Sequence, residues 1–183
     1  MSRREKLVAG ATDYALEHGL VGLSLRPLAA ALGTSDRMLL YHLGSKDELV
    51  VAVITAACDR SLAALVNLQP STSPGRAVLD QWRLRTGADQ VRAGRLYVEA
   101  STLGLFGEEP YASAVAASNA RWVAAIGDHL TASGLPGGRV EAVAPLVDAA
   151  FMGFELDLPL DRHEAETGVR ALAEAVDLLS REP

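Results

Sequence analysis

The chain has 183 residues, of which 49% are hydrophobic and 22% are charged. This size and composition suit one or two small folded domains and exclude an intrinsically disordered protein. The net charge of −6 is unevenly spread, because residues 1–46 hold six Lys/Arg against four Asp/Glu whereas the rest of the chain is acidic. A weakly basic first segment is compatible with a small nucleic-acid-binding module joined to a larger domain that does not bind nucleic acid.

Signals for targeting, metals and cofactors are sparse. The single cysteine, Cys58, excludes an intramolecular disulfide and a cysteine-based zinc site, and its apolar neighbours predict a buried thiol. The N-terminal residues are charged and lead into an amphipathic segment, and no uninterrupted apolar run is as long as a membrane span. We therefore expect a cytoplasmic protein with no membrane partner, no metal and no cofactor.

The first three predicted helices are short and clearly delimited. Alanine and leucine favour helix, and no run of alternating β-branched residues indicates a strand, so the predicted fold class is all-α. A capping box begins the first helix, which covers residues 3–18. Ser24 is the predicted cap of the second helix. Gly33 makes the turn to the third helix, which Thr34 or Ser35 caps.

Six further helices bring the predicted total to about nine. The fourth begins with a second capping box, from Ser45 to Glu48, and runs to about Asn67. A linker rich in proline and serine follows over residues 69–75. Pro145 is expected to kink the eighth helix or to mark its true start. The last five helices are predicted over residues 76–88, 91–106, 111–133, 139–158 and 163–180.

The short third helix has the properties of a helix that reads the major groove of DNA. Such a helix projects polar side chains from its N-terminal half and buries a small apolar face, which Leu39 and Leu43 supply. Arg37 can bind a guanine edge or a phosphate, and Asp36 is expected to face a base edge or to pair with Arg37. Lys46, in the first turn of the fourth helix, is placed to bind a phosphate.

The run from Ser24 to Leu49 resembles the N-terminal helix-turn-helix of the TetR (tetracycline-repressor-like) transcription regulators, with the motif over about residues 24–43. The matching segments are Leu32-Gly33-Thr34-Ser35, Tyr41-His42-Leu43 and Ser45-Lys46-Asp47-Glu48-Leu49. The resemblance implies a DNA-binding domain over residues 1–46 and a helical effector-binding and dimerisation domain over residues 47–183. The predicted DNA-binding residues are Ser24, Thr34, Ser35, Asp36, Arg37, Met38, Tyr41, His42 and Lys46.

Two positions depart from the family pattern. Leu40 stands where the family usually has a tyrosine, so one phosphate-binding hydroxyl is missing and Tyr41 is expected to make that contact. Leu43 replaces the usual phenylalanine and still fills the core. His42 is explained about as well by packing as by a DNA contact.

The resemblance implies that the larger domain binds a small effector. Aromatic side chains from several helices could line one apolar cavity, which suggests an apolar or amphipathic molecule. Aromatic residues at helical spacing are more often plain core, and that interpretation stays open. The predicted lining is Trp82, Arg85, Tyr97, Phe106, Trp122, His129, Phe151 and Phe154.

The last two predicted helices carry apolar residues at steps of three and four. Two such helices can pack against their symmetry copies as a four-helix bundle, or each can pack only within its own subunit. The resemblance favours a two-fold homodimer on a near-palindromic operator of double-stranded DNA. The predicted dimer face is Val147, Phe151, Phe154, Leu158, Leu172, Val176 and Leu179.

The sequence thus predicts a DNA-binding transcriptional regulator, in first place a repressor that a small effector releases from its operator. Release is expected to work through a shift of the fourth helix, whose first turn holds Lys46. The alternative is a ligand-binding or interaction protein that has lost DNA binding, which Leu40 and the weak local charge leave open. An enzyme is not expected, because no metal spacing or nucleophile motif unites the histidines, the cysteine and the acids.

Overall fold

Nine α-helices make up the secondary structure of residues 2–181, the part of the chain that this computed structural model describes, with the side chain of Asp89 left aside. Residue 1 and residues 182–183, the outer ends of the two predicted domains, lie outside the described residues. The all-α fold class is confirmed. The helices are α1 Arg3–His18, α2 Leu25–Ala31, α3 Asp36–Leu43, α4 Lys46–Val66, α5 Pro74–Arg85, α6 Ala88–Leu105, α7 Tyr111–Ala132, α8 Gly137–Asp157 and α9 Arg162–Leu179.

Side-chain caps fix the starts of α1 and α4 as predicted. Before α1, Ser2 N donates to Glu5 Oε2 at 2.8 Å and Glu5 N donates to Ser2 Oγ at 3.2 Å. Before α4, Ser45 N donates to Glu48 Oε2 at 2.7 Å and Glu48 N donates to Ser45 Oγ at 3.1 Å. The prediction for α2 is wrong in one respect. Ser24 occupies the N-cap position of that helix, but its side chain makes no capping hydrogen bond.

Helix α5 begins two residues before its predicted start. Ser73 Oγ accepts a hydrogen bond from an amide of the first turn, and Pro74 lacks only an amide hydrogen that would have no helical partner there. Gly75 lies against α9, where its N donates to Asp177 Oδ1 at 2.6 Å and a Cβ would collide with the carbonyl oxygen of Ala173. This glycine therefore permits a close helix contact and does not belong to the linker.

Helix α8 continues through Pro145, so this proline does not mark the start of the helix. A proline inside a helix removes one amide donor and leaves the carbonyl of the residue four positions earlier without its usual partner. Pro145 is exposed. Water can therefore satisfy the carbonyl that the proline leaves unpaired.

The chain divides into two compact units, each with its own core. The first unit is Met1–Ser61 with Ala88–Asn119, and in it α1, α2 and α3 pack on one another while α6 packs on α1. The second unit is Leu62–Gly87 with Ala120–Pro183, and in it α9 packs on α5 and α8. The predicted boundary at residue 46 separates a DNA-binding domain from an effector-binding domain. The two compact units do not test that functional division, so it stays a prediction. The thiol of Cys58 is buried, as expected.

Helix α4 is long and apolar enough to cross a membrane, judged by length and composition only. Half of its most apolar window is buried inside the structure. The core helix of a globular protein passes the same test, and Val53 and Ile54 of α4 belong to the core of the first unit. A single helix of this kind is weak evidence for a membrane span.

Candidate DNA-binding surface and effector site

Helix α3 has one buried edge and one exposed face. Leu39 and Leu43 are buried in the core of the first unit, as predicted, together with Leu28 of α2. Asp36 and Arg37 are exposed in the first turn. The helix thus presents both charges of its first turn to solvent, while its two buried leucines anchor it to the core.

The turn before α3 is built by a glycine and a serine. Gly33 has a φ of +62°, a backbone conformation that favours glycine, and an added Cβ there would meet open space. Ser35 is the N-cap, since its Oγ accepts a hydrogen bond from Met38 N at 3.3 Å. The hydroxyl hydrogen of Ser35 stays available to donate, whereas Thr34 is half-buried. Ser35 is therefore the more accessible donor of the two.

Four more of the predicted DNA-binding side chains lie at or near the surface after this turn, and the first of them is Met38, which is exposed. Tyr41 is 78% exposed, and its ring stands edge-on to that of His42 with the centroids 5.0 Å apart. His42 is half-buried. Lys46 is exposed in the first turn of α4, directly after the serine of the capping box. Ser24 is also exposed, and its hydroxyl is not used as a cap.

In the second unit, helices α5 and α8 bring part of the predicted effector site together. The rings of Trp82 and Phe151 lie 5.4 Å apart, and those of Trp82 and Phe154 lie 6.2 Å apart. The guanidinium of Arg85 lies 5.4 Å from the ring centroid of Trp122 on α7 and 5.9 Å from that of Phe151. Five of the eight predicted residues therefore form one aromatic cluster around a cation.

Arg85 also pairs with two acids of α8. Its Nε donates to Glu155 Oε1 at 2.7 Å, and its Nη1 donates to Asp148 Oδ1 at 3.2 Å. All three side chains are largely buried. Burial raises the pKa of both carboxyls above their ordinary values, although the Arg85 charge acts against this rise. Two carboxylates thus share one guanidinium, which leaves the cluster short of one positive charge or one proton.

No family model matches the chain. Over 98 residues, 52% of this chain and 46% of the relative, it is 29% identical to the HTH-type transcriptional regulator RutR of Escherichia coli strain K12, so the match spans about half of that protein. A transcriptional regulator from Rhodococcus sp. RHA1 superposes with a TM-score of 0.77 at 21% identity, covering 96% of both chains. The TetR-family regulator of Cytophaga hutchinsonii superposes with a TM-score of 0.75 at 15% identity, covering 98% of this chain and 96% of that one.

This chain has the TetR regulator fold. The finding confirms the fold that the helix-turn-helix resemblance implied, and the likeness in fold extends over nearly the whole chain.

The other three residues predicted for the effector site are Phe106, Tyr97 and His129, and their place in it stays a prediction. Phe106, directly after α6, is 79% exposed. Tyr97 belongs to the first unit, where its hydroxyl donates to Asn119 Oδ1 at 3.4 Å. His129 is buried in the second unit, where its Nε2 and Nδ1 contact Gln69 O at 3.0 Å and Gln81 Nε2 at 2.9 Å. His129 therefore fastens the segment between α4 and α5 to α7.

Asp148 is the functional candidate that the sequence analysis missed. Asp148 lies in α8, where the spacing of the hydrophobic residues was used to predict a dimer face. A signal was present, because Asp148 and Glu155 are seven residues apart and so lie on one face of α8. Two acids on one face of a mainly apolar helix are compatible with a buried basic partner, which here is Arg85 on α5.

The residues predicted for the dimer face of the TetR fold lie toward the core of their own unit. Val147, Phe151 and Val176 are buried, and the other four pack against the same core. A second apolar stripe is exposed on each helix. On α8 it comprises Ala142, Leu146, Ala149, Gly153 and Leu156, and on α9 it comprises Ala171, Ala175 and Leu178.

Proposed function

We propose that the chain is a homodimeric DNA-binding transcription regulator whose helix α3 reads the major groove of an operator. The observation that carries this proposal is the construction of α3. Within eight residues this helix buries Leu39 and Leu43 and exposes Asp36, Arg37 and Tyr41. A helix with one buried edge can lie in the groove, about 12 Å wide, and still reach base edges and phosphates.

The proposed DNA contacts divide by chemistry. Arg37 binds a guanine edge or a phosphate, Asp36 faces a cytosine amino group or pairs with Arg37, and Met38 contacts a base edge. Tyr41 and Lys46 bind phosphates, and Tyr41 takes the contact that Leu40 no longer offers. The remaining proposed contacts are Ser24, Thr34, Ser35 and His42.

The dimer face that we propose is the exposed stripe of α8 and α9. Leu146 is 49% exposed, Leu156 is 55% exposed and Leu178 is 62% exposed, and alanine or glycine lies between them. The stripe on α8 advances in steps of four and three residues, which is the spacing of helices that pack along a seam. Small residues between leucines let two such helices approach closely. A second copy of this chain is therefore the proposed partner.

The proposed effector site is the Arg85 cluster, and the proposed ligand is an amphipathic molecule with a positive charge. Trp122 and Phe151 supply aromatic faces, and the two acids exceed the single guanidinium by one charge. The chain has two tryptophans, both in this cluster, so intrinsic fluorescence reports binding. Titration with benzyltrimethylammonium should change the fluorescence at lower concentration than titration with benzoate. Tighter binding of benzoate would contradict the proposed ligand charge.

We propose that the protein represses transcription and that the effector releases it from the operator through a shift of α4. The proposed location is the cytoplasm. The competing proposal is a ligand-binding protein whose first unit has lost DNA binding. Its support is the weak positive charge of residues 1–46 together with Leu40. The match to RutR covers about half of that protein, so experiment must decide between the two proposals.

Selection of duplexes from a randomised pool by the full chain tests the proposal. The expected result is enrichment of a near-palindromic sequence with half-sites about 34–36 Å apart, or a multiple of that distance. Arg37→Ala, tested in parallel, should lose the preference at one base position in each half-site. If the folded chain enriches no sequence beyond the starting pool, the ligand-binding alternative replaces the proposed function.

A further inference from the structure

A carboxylate of α6 holds the turn between α1 and α2. Glu99 Oε2 accepts a hydrogen bond from Leu20 N at 2.6 Å and a second from Val21 N at 3.1 Å. Both residues belong to the first unit, although they are separated from Glu99 by 79 and 78 positions in the sequence. Two successive amides directed at one anionic oxygen form a small anion-binding concavity. The contact is therefore a specific, charge-assisted attachment between distant segments.

The residue before the two amides leaves room for the carboxylate. Gly19 ends α1 with a φ of +85°, and its N donates to Ala15 O at 2.8 Å. A Cβ built on Gly19 would lie 2.7 Å from Glu99 Oε2 and 2.8 Å from Glu99 Oε1. Any other residue at position 19 would both strain the backbone and displace the carboxylate. The end of α1 and the space for the Glu99 carboxylate thus depend on the same glycine.

The turn that Glu99 holds leads directly into the helices that face DNA. Leu20 and Leu23 are buried, and Leu23 N donates to Leu20 O at 3.0 Å, so the turn is short and well anchored. Helix α2 begins at Leu25 and packs on α3. A change in position of Leu20 and Val21 is therefore passed to α2 and from there to α3.

Helix α6 approaches α1 through apolar contacts on the same face. Leu96 and Ala100 of α6 are buried in the core that also contains Leu7, Ala11 and Ala15 of α1. These apolar contacts are non-directional and tolerate small sliding movements. The two hydrogen bonds of Glu99 are directional, so they select one register of α6 against the turn.

We propose that Glu99 is a positioning residue for DNA binding, which fixes the α2–α3 pair at one angle on α6; this inference rests on the proposed function. Glu99 itself touches no DNA in the proposed complex. Its loss lowers the fraction of molecules whose α3 is correctly oriented, and the apparent affinity for DNA falls by that fraction. The dependence of binding on salt does not change, because no phosphate contact is removed.

The test compares three variants on the duplex that the wild-type chain enriches. Glu99→Ala removes the acceptor, and Glu99→Gln keeps an acceptor oxygen without the charge. Glu17→Gln removes an exposed carboxylate from α1 and is the matched control. Each variant is assayed well below its own unfolding temperature, and if Glu99→Ala does not fold, Glu99→Gln decides. The dissociation constant should rise about tenfold or more for Glu99→Ala, less for Glu99→Gln, and not for Glu17→Gln.

Amide hydrogen exchange, followed by NMR, separates positioning from general stability. Exchange at Leu20 and Val21 should accelerate in the same order as the loss of affinity, while amides of α9 keep their protection. Equal affinity of Glu99→Ala and Glu17→Gln would overturn the proposal, as would unchanged exchange at the two amides. A wild-type chain that enriches no duplex would instead refute the proposed function and, with it, the basis for this role.

Discussion

Arg85 is the central residue of the proposed effector site in the second unit. It contacts two aromatic rings and two carboxylates within one buried cluster. Breaking such a cluster leaves an uncompensated buried charge, which is far more costly than losing an exposed ion pair. The excess acid makes the cluster sensitive to any cation or proton that reaches it.

The raised pKa of Asp148 predicts how stability changes with pH. Burial raises this pKa above its ordinary 3.8, so the folded state binds more protons than the unfolded state above that pH. The free energy of unfolding therefore falls as pH rises from 3.8 through the folded pKa. Asp148→Asn lacks this group, so urea unfolding over that range should show the wild type losing stability relative to the variant.

Glu174→Gln, which removes an exposed carboxylate of α9, is the control for loss of charge alone. Glu155, whose pKa is also raised by burial, should repeat the behaviour of Asp148 above its ordinary value of 4.5 when it is replaced by glutamine. A difference between the wild type and Asp148→Asn that does not vary with pH would contradict the raised pKa.

Helices α8 and α9 each carry two apolar stripes, and only one of them is exposed. Leu146→Glu places a charge in the exposed stripe of α8, which we propose as the dimer face. In the proposed dimer this carboxylate would be buried beside its symmetry copy, which disfavours association strongly. Analytical ultracentrifugation should find Leu146→Glu as a monomer with helix content like that of the wild type.

Leu105→Glu makes the same chemical change at an exposed leucine of α6 and should remain dimeric. If both variants sediment like the wild type, the dimer face lies elsewhere. If the wild type is itself monomeric at all accessible concentrations, the homodimer is wrong.

Local sequence patterns identify where these helices start, but not which face of a helix is buried. Both capping boxes were predictable because the motif lies within four consecutive residues. The choice between the stripes at Val147 and Leu146 was not, because two faces of one helix had the same spacing and only tertiary packing decides which is buried. The Glu99 contact was equally out of reach, since its partners are nearly 80 residues away and are backbone amides.

At the scale of the whole molecule, the TetR fold explains why the effector site was only partly predictable. Four aromatic residues of the predicted set do lie in one cluster with Arg85, because bulky apolar side chains gather wherever helices pack. Tyr97 on α6 and Phe106 directly after α6 belong to the first unit, and their place in an effector site stays a prediction. Composition identifies which side chains prefer an interior, but not which of them the fold buries.

In the proposed complex α3 reads DNA while α4 binds a phosphate, and one measurement separates these two roles. This is the salt dependence of affinity for the enriched duplex, compared among Arg37→Ala, Lys46→Ala and the control Arg181→Ala, an exposed cation beyond α9. Arg37→Ala should cost about 1–3 kcal/mol of binding free energy, and Lys46→Ala should reduce the salt slope by about one. Arg181→Ala should behave like the wild type. If all three variants bind the duplex alike at every salt concentration, the account of DNA reading by α3 and α4 is contradicted.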